Sequence, residues 1–406
     1  MDAFILDAVR TPRGKAKATG GLAKIKPVEL LAQLYQALEK RNQLDPAEVD
    51  DVVIGCVTQV GDQGTGIGRI STIYAGWPDH IPATTISTYC ASGLSSVGLA
   101  AAQISAGMSD LMVAGGVESI SRVPMLSDKG PLFNDPEFTA KSGGVFMGIS
   151  ADLVATMEGF TRDELDAYAV QTHQRAAHAR DNGYFAPSLI PIFDADGTLQ
   201  LDHDEFIRGD TTIEGLARFG PSFAAMGANG QDAAALMRYP EVGTIEHLHH
   251  RGNSNGMADG ASLILLGSQE KASALGLKPR ARIRAIANYA VDPVIMLTAV
   301  VGASEKALKR AGLTVDDIDL FESYESFSAV VLKYQRHFGI NNDIFNVNGG
   351  AISMGHAFGA TGAMMLTVLL DELERRDLTL GLVTVCGAAG LGTAMIIERS
   401  NGLLDA

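Results

Sequence analysis

Two stretches of this chain, 266 residues apart, obey one pattern, and that repetition restricts the fold more than any single motif. Glu48-Val49-Asp50-Asp51-Val52-Val53-Ile54 is an apolar run led by acids, and Thr314-Val315-Asp316-Asp317-Ile318-Asp319-Leu320 repeats it, with Asp51 aligned to Asp317. Downstream of each, an apolar run enters a turn of small residues and then a helix. In the first copy Thr84-Thr85-Ile86-Ser87-Thr88-Tyr89-Cys90-Ala91-Ser92-Gly93-Leu94 leads into Leu94 to Gln103. In the second, Phe345-Asn346-Val347-Asn348-Gly349-Gly350 leads into Ala351 to His356. The same offset carries Cys90 onto His356, so two similar α/β halves place a cysteine and a histidine at matching points.

The setting of Cys90 suggests a role. β-Branched residues before it and small residues after it read as strand, tight turn and buried helix, with Cys90 near the helix start. Free backbone N–H groups and the positive end of the helix dipole there are expected to favour thiolate over thiol. A thiolate accepts acyl groups. A lone cysteine in an apolar stretch is ordinarily inert packing, so the case rests on its partners.

The remainder of the chain narrows the class. At 406 residues and 46% hydrophobic content it buries a large core, and a net charge of −15 argues against nucleic acid or anionic membrane as a partner. Three cysteines, Cys56, Cys90 and Cys386, are too few and too scattered for a disulfide framework or a zinc site. The N-terminus is a short strand with an early acid, unlike a signal peptide. No apolar run is long enough to span a membrane, and Leu403-Leu404-Asp405-Ala406 matches no targeting address. A cytoplasmic protein is expected.

From residue 1 to about 120, strands and helices alternate, favouring a mostly parallel sheet covered by helices. Val28 to Lys40 reads as an amphipathic helix with Leu30, Leu31, Leu34 and Leu38 on one face. Asp110 to Glu118 supplies a buried strand. From about 121 to 250, Asp, Gly and Pro interrupt the pattern and isolated helices open, as at Thr161-Arg162-Asp163-Glu164, a capping box. That is the pattern of an inserted loop domain. Asn253 to Leu266 returns to a turn and a strand.

A third candidate is Cys386, in Val383-Thr384-Val385-Cys386-Gly387-Ala388-Ala389-Gly390-Leu391-Gly392. A nucleophilic thiol needs a base, which histidine supplies, and carbon–carbon cleavage needs an acid for the leaving carbanion, which a second thiol supplies. The Gly/Ala run lets backbone N–H groups approach a substrate oxygen.

Five blocks in this order resemble the thiolase family over nearly the whole chain. They are Tyr89 to Leu94; Gly115-Gly116-Val117-Glu118-Ser119-Ile120-Ser121-Arg122; Asn253 to Gly260; Asn348 to Ile352 running into Gly355-His356; and Cys386 to Gly392. The resemblance implies an α/β fold of two similar five-stranded mixed sheets layered with helices. Residues 1–120 and 253–272 would form the first half, 121–252 a loop domain binding CoA and acyl chain, and 273–406 the second half. It implies a homodimer or homotetramer, no tightly bound cofactor, no metal, and coenzyme A as co-substrate.

It also implies CoA-dependent cleavage of a 3-oxoacyl-CoA, or the reverse condensation. In the family the cysteine at Cys90 takes the acyl group as a thioester, and the histidine at His356 activates that thiol and later the CoA thiol. The cysteine at Cys386 protonates the departing acetyl-CoA enolate. The N–H groups of Cys90 and Ala388 would form one oxyanion hole, and His356 with Tyr324 another. Arg208 matches the family's CoA-nucleotide arginine, and Met147, Phe223, Asn255, Met296 and Phe327 complete the substrate-binding set. Two rivals stand beside this: a condensing enzyme of the same superfamily, which more often pairs its cysteine with two histidines, and a catalytically weak thiolase-like subunit.

Departures from the pattern cluster at the pocket. Tyr324-Glu325-Ser326-Phe327 stands where relatives carry Asn or His before Glu-Ala-Phe, a polar side chain that usually holds a water. Ala357 replaces the proline after the histidine, Met364 an arginine, Asn255 a pantetheine-contacting serine and Gly215 another serine; Phe146-Met147-Gly148 lacks a preceding histidine. These changes suggest a branched, cyclic or otherwise unusual acyl chain. Gly64-Thr65-Gly66-Ile67-Gly68-Arg69 lacks the Lys and Ser of a phosphate loop and resembles the family's subunit-interface loop. Glu246-His247-Leu248-His249-His250 reads as packing histidines without metal-ligand spacing, in a segment, 224–250, longer than is usual in the family.

Overall fold

The computed structural model describes residues 2–399, so the C-terminal Leu403 to Ala406 read above lies outside them. Its strands are β1 (Phe4–Arg10), β2 (Gly14–Lys15), β3 (Asp51–Gly55), β4 (Ala83–Ile86), β5 (Leu111–Glu118), β6 (Ile192–Phe193), β7 (Leu199–Leu201), β8 (Ala258–Gly267), β9 (Ala281–Ala290), β10 (Leu320–Ser323), β11 (Leu380–Cys386) and β12 (Leu391–Arg399). Apart from the β6–β7 hairpin they form one mixed sheet in the order β10-β11-β12-β9-β1-β8-β5-β3-β4, with β2 on the end of β8. The two five-stranded layers that the family resemblance implies are its two ends. They meet at a narrow waist where only Phe4 and Ile5 of β1 pair with Arg282 and Ala281 of β9. In the second end the outermost strand shrinks to one parallel bridge, Phe321 to Phe345.

Apolar composition explains the layering. β5 and β8 are buried along their whole length, as strands covered on both faces must be. Helix Pro27–Asn42 buries Leu30, Leu31, Leu34 and Leu38 against the first end. Between the two ends run helices Ser92–Ser105 and Phe358–Arg375, the latter buried continuously from Phe358 to Leu373. Glycine sets how closely they approach. A Cβ at Gly93 would lie 2.6 Å from the Gly359 carbonyl oxygen, and one at Gly362 would lie 2.8 Å from Leu94 Cβ. Since Cys90 and His356 each sit two residues before one of these helices, this contact brings them together.

The repeat has a different register from the one the acids suggested. Asp50 Oδ2 accepts from the N–H groups of Asp110 (2.6 Å) and Leu111 (2.9 Å), and Asp319 Oδ2 accepts from Thr379 (2.9 Å) and Leu380 (2.8 Å). Each aspartate ties the strand it precedes to the start of the parallel neighbour, so Asp50 corresponds to Asp319, three residues beyond the assumed alignment. The second copy is three residues shorter between strand and helix, which restores the match of Cys90 to His356. Runs of adjacent aspartates in both copies hid the slip.

Between β5 and β8 the chain leaves the sheet. Helices Met147–Glu158 and Arg162–Asp181 dominate there, and Thr161 caps the second: its hydroxyl accepts from Glu164 N–H while the Glu164 carboxylate accepts from Thr161 N–H (2.7 Å).

Candidate active site

Cys90 occupies the turn between β4 and helix Ser92–Ser105, a turn that requires Tyr89 in the left-handed region (φ 54°). His356 follows Gly355 (φ 98°), and its backbone is pinned from both sides: its N–H donates to Gly256 O (2.7 Å) and its carbonyl accepts from Ala258 N–H (2.9 Å). Cys90 Sγ lies 3.1 Å from His356 Nε2, while His356 Nδ1 lies 2.7 Å from Thr361 Oγ1 one turn into the following helix. Thr361 thereby orients the imidazole with Nε2 toward the thiol. Cys386 ends β11, and its thiol lies 3.8 Å from Ser326 Oγ.

All three side chains line one cavity of about 400 Å³. The turns that follow β10 and β11 contribute Tyr324, Gly387, Ala388 and Ala389 to its lining. The insert supplies most of its walls, with Met125, Leu126, Leu132, Phe133, Phe138, Phe146, Met147 and Phe223, and Leu297, Phe327 and Phe358 complete them. Phe133, Phe146, Phe223 and Phe327 form a chain of ring contacts with neighbouring centroids 5.9–6.3 Å apart. Such a lining suits an apolar chain.

Burial controls the protonation states. It pushes the Cys90 thiol well above its ordinary pKa, assisted by the nearby Cys386 and Glu118. This corrects the expectation that the helix start favours thiolate: Ala91 is the cap and Ser92 the first helical residue, and the apolar surroundings outweigh the dipole. Burial, with Arg13 adding to it, holds His356 down to about 3. Cys386 is pushed up to about 12. The resting site is therefore thiol, neutral imidazole and thiol.

Of the residues anticipated from the sequence, Cys90, His356, Cys386, Ala388, Tyr324, Met147, Phe223, Asn255 and Phe327 all face this cavity. Met296 does not line it; it is buried beside Leu297, which does. Arg208 is exposed outside it, its N–H donating to His173 Nδ1 (3.2 Å). Sequence reasoning missed Thr361, Ser326 and three phenylalanines of the insert, Phe133, Phe138 and Phe146. It also missed two buried carboxylates. Glu118 accepts from the N–H groups of Val57 (2.9 Å), Thr58 (3.1 Å) and Gly359 (3.1 Å) and from Gln63 Nε2 (2.7 Å), tying the loop after β3 and the start of helix Phe358–Arg375 to the end of β5. Glu325 accepts from Tyr168, Thr172 and the Ile352 N–H. The Glu118 and Glu325 blocks were visible as motif, with nothing to mark those carboxylates as braces.

A thiol, an imidazole and a second thiol converging on one apolar cavity, at the junction of two matched α/β halves, define an acyltransferase. Residues 3–236 match the family model for the thiolase N-terminal domain and residues 277–399 that for the thiolase C-terminal domain. The chain belongs to the thiolase family. It is 41% identical to a 3-ketoacyl-CoA thiolase of Serratia proteamaculans and 40% identical to one of Cronobacter sakazakii, each alignment spanning 97% of this chain and 98% of the relative. Its fold matches that of the Bacillus anthracis acetyl-CoA acetyltransferase with a TM-score of 0.85 at 31% identity, covering 98% of both chains.

Proposed function

We propose that the protein cleaves 3-oxoacyl-CoA thioesters with coenzyme A, giving acetyl-CoA and a shortened acyl-CoA through an acyl-Cys90 intermediate. The observation that carries this is Cys90 Sγ at 3.1 Å from His356 Nε2 with Cys386 in the same cavity. Cys90 Sγ attacks the 3-oxo carbon while His356 Nε2 takes its proton, so no free thiolate needs to be buried. The N–H groups of Cys90 and Ala388 hold the oxyanion. Collapse breaks the C2–C3 bond, and its electron pair leaves on the acetyl-CoA enolate, held by His356 and Tyr324. Cys386, still protonated at neutral pH, gives its proton to the enolate carbon. His356 passes its proton to the Cys386 thiolate, then takes that of the incoming CoA thiol. The CoA sulfur attacks the thioester, and Cys90 leaves and regains the proton.

Coenzyme A is then a co-substrate, with Arg208 on its nucleotide and Asn255 and Met147 along the pantetheine arm, and no metal takes part. Residues 1–120 with 253–272, 121–252, and 273–406 serve as first half, loop domain and second half. The edge strand β4 and the exposed Ile70, Ile73 and Tyr74 on the helix beside it support assembly with a second copy, as a homodimer or homotetramer. Among the described residues no helix is long and apolar enough to cross a membrane, and a cytoplasmic role in fatty-acid breakdown fits. A CoA-thiolysis screen over short, long, branched and ring-bearing 3-oxoacyl-CoAs, with mass spectrometry of Cys90, tests the reading. Turnover of at least one class with an acyl adduct on Cys90 is expected; the absence of any adduct would instead indicate an inactive, binding subunit.

A further inference from the structure

Two residues, Ala357 and Phe358, join two closely held points of backbone. His356 is gripped between Gly256 and Ala258 through its N–H (2.7 Å) and its carbonyl (2.9 Å). Gly359 N–H donates to the buried Glu118 carboxylate (3.1 Å), and a Cβ on Gly359 would lie 2.9 Å from Cys56 Cα and 3.0 Å from the Gly55 carbonyl oxygen. The join puts Phe358 in the left-handed region, at φ 26°. That conformation suits glycine or asparagine and strains a bulky side chain. Such strain persists only where the surroundings impose it, and it gathers at working sites. Here it has a geometric result: the Phe358 ring, buried at the cavity wall, lies with its centroid 4.9 Å from that of His356. Three residues on, Thr361 Oγ1 meets His356 Nδ1 at 2.7 Å. One helix start thus holds the imidazole at its ring and at its far nitrogen.

We propose that Phe358 is a positioning residue for the imidazole: the strained turn presses its ring against His356, keeping Nε2 aimed at the Cys90 sulfur and water away from the ring. Phe358 has no group that gives or takes a proton, so it acts through His356 alone. With only Thr361 on Nδ1 the imidazole could still swing about that hydrogen bond. The Phe358 ring, together with the Tyr324 ring at 4.7 Å, removes that freedom and holds the 3.1 Å approach of Nε2 to the sulfur. The same packing excludes the water that an imidazolium needs, which keeps the base neutral. The titratable groups facing the ring are the Cys90 thiol and the Tyr324 phenol, both held uncharged by burial, and Arg13 adds its positive charge. This inference rests on the thiolase reading for its kinetic consequence, though not for its effect on the imidazole.

The test uses the full chain as wild type, Phe358→Leu, which keeps apolar bulk without the ring, and Phe358→Gly, which suits the backbone, with matched far-UV circular dichroism. One variant carries the strain and the other loses the packing, so either one that folds is decisive. Carbethoxylation of His356 by diethyl pyrocarbonate, which takes only neutral imidazole, is followed by peptide mass spectrometry from pH 5 to pH 8. Thiolysis of the best 3-oxoacyl-CoA from the screen is measured alongside. Wild type is expected to react slowly and at one rate over this range, because His356, held down to about 3, is neutral throughout. The variants are expected to react about 10-fold faster at pH 8 and to lose that reactivity below about pH 6.5, as the wetter ring returns toward its ordinary pKa. Their kcat should fall roughly 10- to 100-fold with KM within about threefold of wild type. Acyl exchange with labelled CoA should fall alongside, since His356 serves both steps. A kcat within about twofold of wild type together with a slow, flat modification profile would overturn the proposal. So would a raised KM at unchanged kcat, which would put the ring on the acyl chain instead. A faster, acid-sensitive His356 in the variants of a chain that cleaves no 3-oxoacyl-CoA would uphold the positioning and overturn the thiolase reading; cleavage by wild type with both variants unchanged would do the reverse.

Discussion

The two halves of the molecule use the same junction, strand to turn to buried helix, for opposite ends of one proton transfer. In the first half it presents Cys90, partly open to the cavity, from a turn that holds Tyr89 in the left-handed region. In the second it presents His356, 2% exposed, with its backbone gripped between Gly256 and Ala258. The difference follows from the chemistry asked of each. A nucleophile has to reach into the space where the acyl group arrives, whereas a base works best when its ring is locked and dry. The repeat supplies the matched positions, and local packing leaves one side chain open to the cavity and holds the other by hydrogen bonds to its backbone and ring.

The largest effects break the pair itself. Cys90→Ser and His356→Ala should each lower kcat/KM for thiolysis by about 1,000-fold or more, read by steady-state assay. The comparison predicts a qualitative split between them. Cys90→Ser should show no acyl adduct at residue 90, while His356→Ala should still accumulate one slowly from a reactive acyl-CoA. An unimpaired His356→Ala enzyme would remove the histidine from the mechanism.

Cys386 sharpens the contrast within the second half, since it shares that half with His356 but serves a different bond. Cys386→Ala should slow carbon–carbon cleavage by about 100-fold, yet leave acyl exchange between acyl-CoA and labelled CoA within a fewfold of wild type. Equal loss of both activities would mean that Cys386 supports the pocket without donating the proton.

What the sequence disclosed about these halves divides by distance along the chain. Strands and helices with local patterns, such as the leucine face of Pro27–Asn42 or the Thr161 cap, were legible because their determinants lie within a turn or two. The pairing of Cys90 with His356 was legible through the repeat even though the acid register was misplaced. The cavity walls were not. Phe133, Phe138 and Phe146 sit in a segment whose glycines, prolines and charges read as loop, and nothing local says that their rings close over residues from both halves. The protonation of Cys90 was misjudged for a related reason: helix position is visible in sequence, and desolvation by distant side chains is not.

Smaller effects come from the contact that joins the halves. Gly93→Ala places a methyl against the backbone carbonyl of Gly359, an atom that cannot step aside, and should cost about 3 kcal/mol in urea unfolding together with activity. Gly98→Ala in the same helix is the control. Its methyl would meet the end of the Ile286 side chain, which has a rotamer to move to, so stability should fall less and thiolysis should stay near wild type. If both variants lose activity alike, helix approach is not what sets the Cys90–His356 distance.

The smallest effect compares His356 with a histidine of the insert, and the two should respond to acid with opposite signs. His356 is held down to about 3 by burial and Arg13, against an ordinary 6.5, so the unfolded chain takes a proton that the folded one refuses. Its contribution to stability therefore falls as pH drops below about 6.5, by about 2 kcal/mol at pH 5. His247 is opposed by burial but bridges Asp152 (2.8 Å) and Asp232 (2.9 Å), and the two carboxylates together raise its pKa. Both ring nitrogens face acceptors, and only the imidazolium donates to both. Its contribution is full below about 6.5 and is lost as pH rises through the raised value, by about 1 kcal/mol or less. Urea unfolding at pH 5 and pH 8 separates them. Relative to wild type, His356→Gln should gain stability at pH 5 over pH 8, and His247→Gln should lose more at pH 5 than at pH 8. Parallel pH slopes for both variants and wild type would show that neither ring titrates differently on folding, and the dry, locked character assigned to His356 would fall with them.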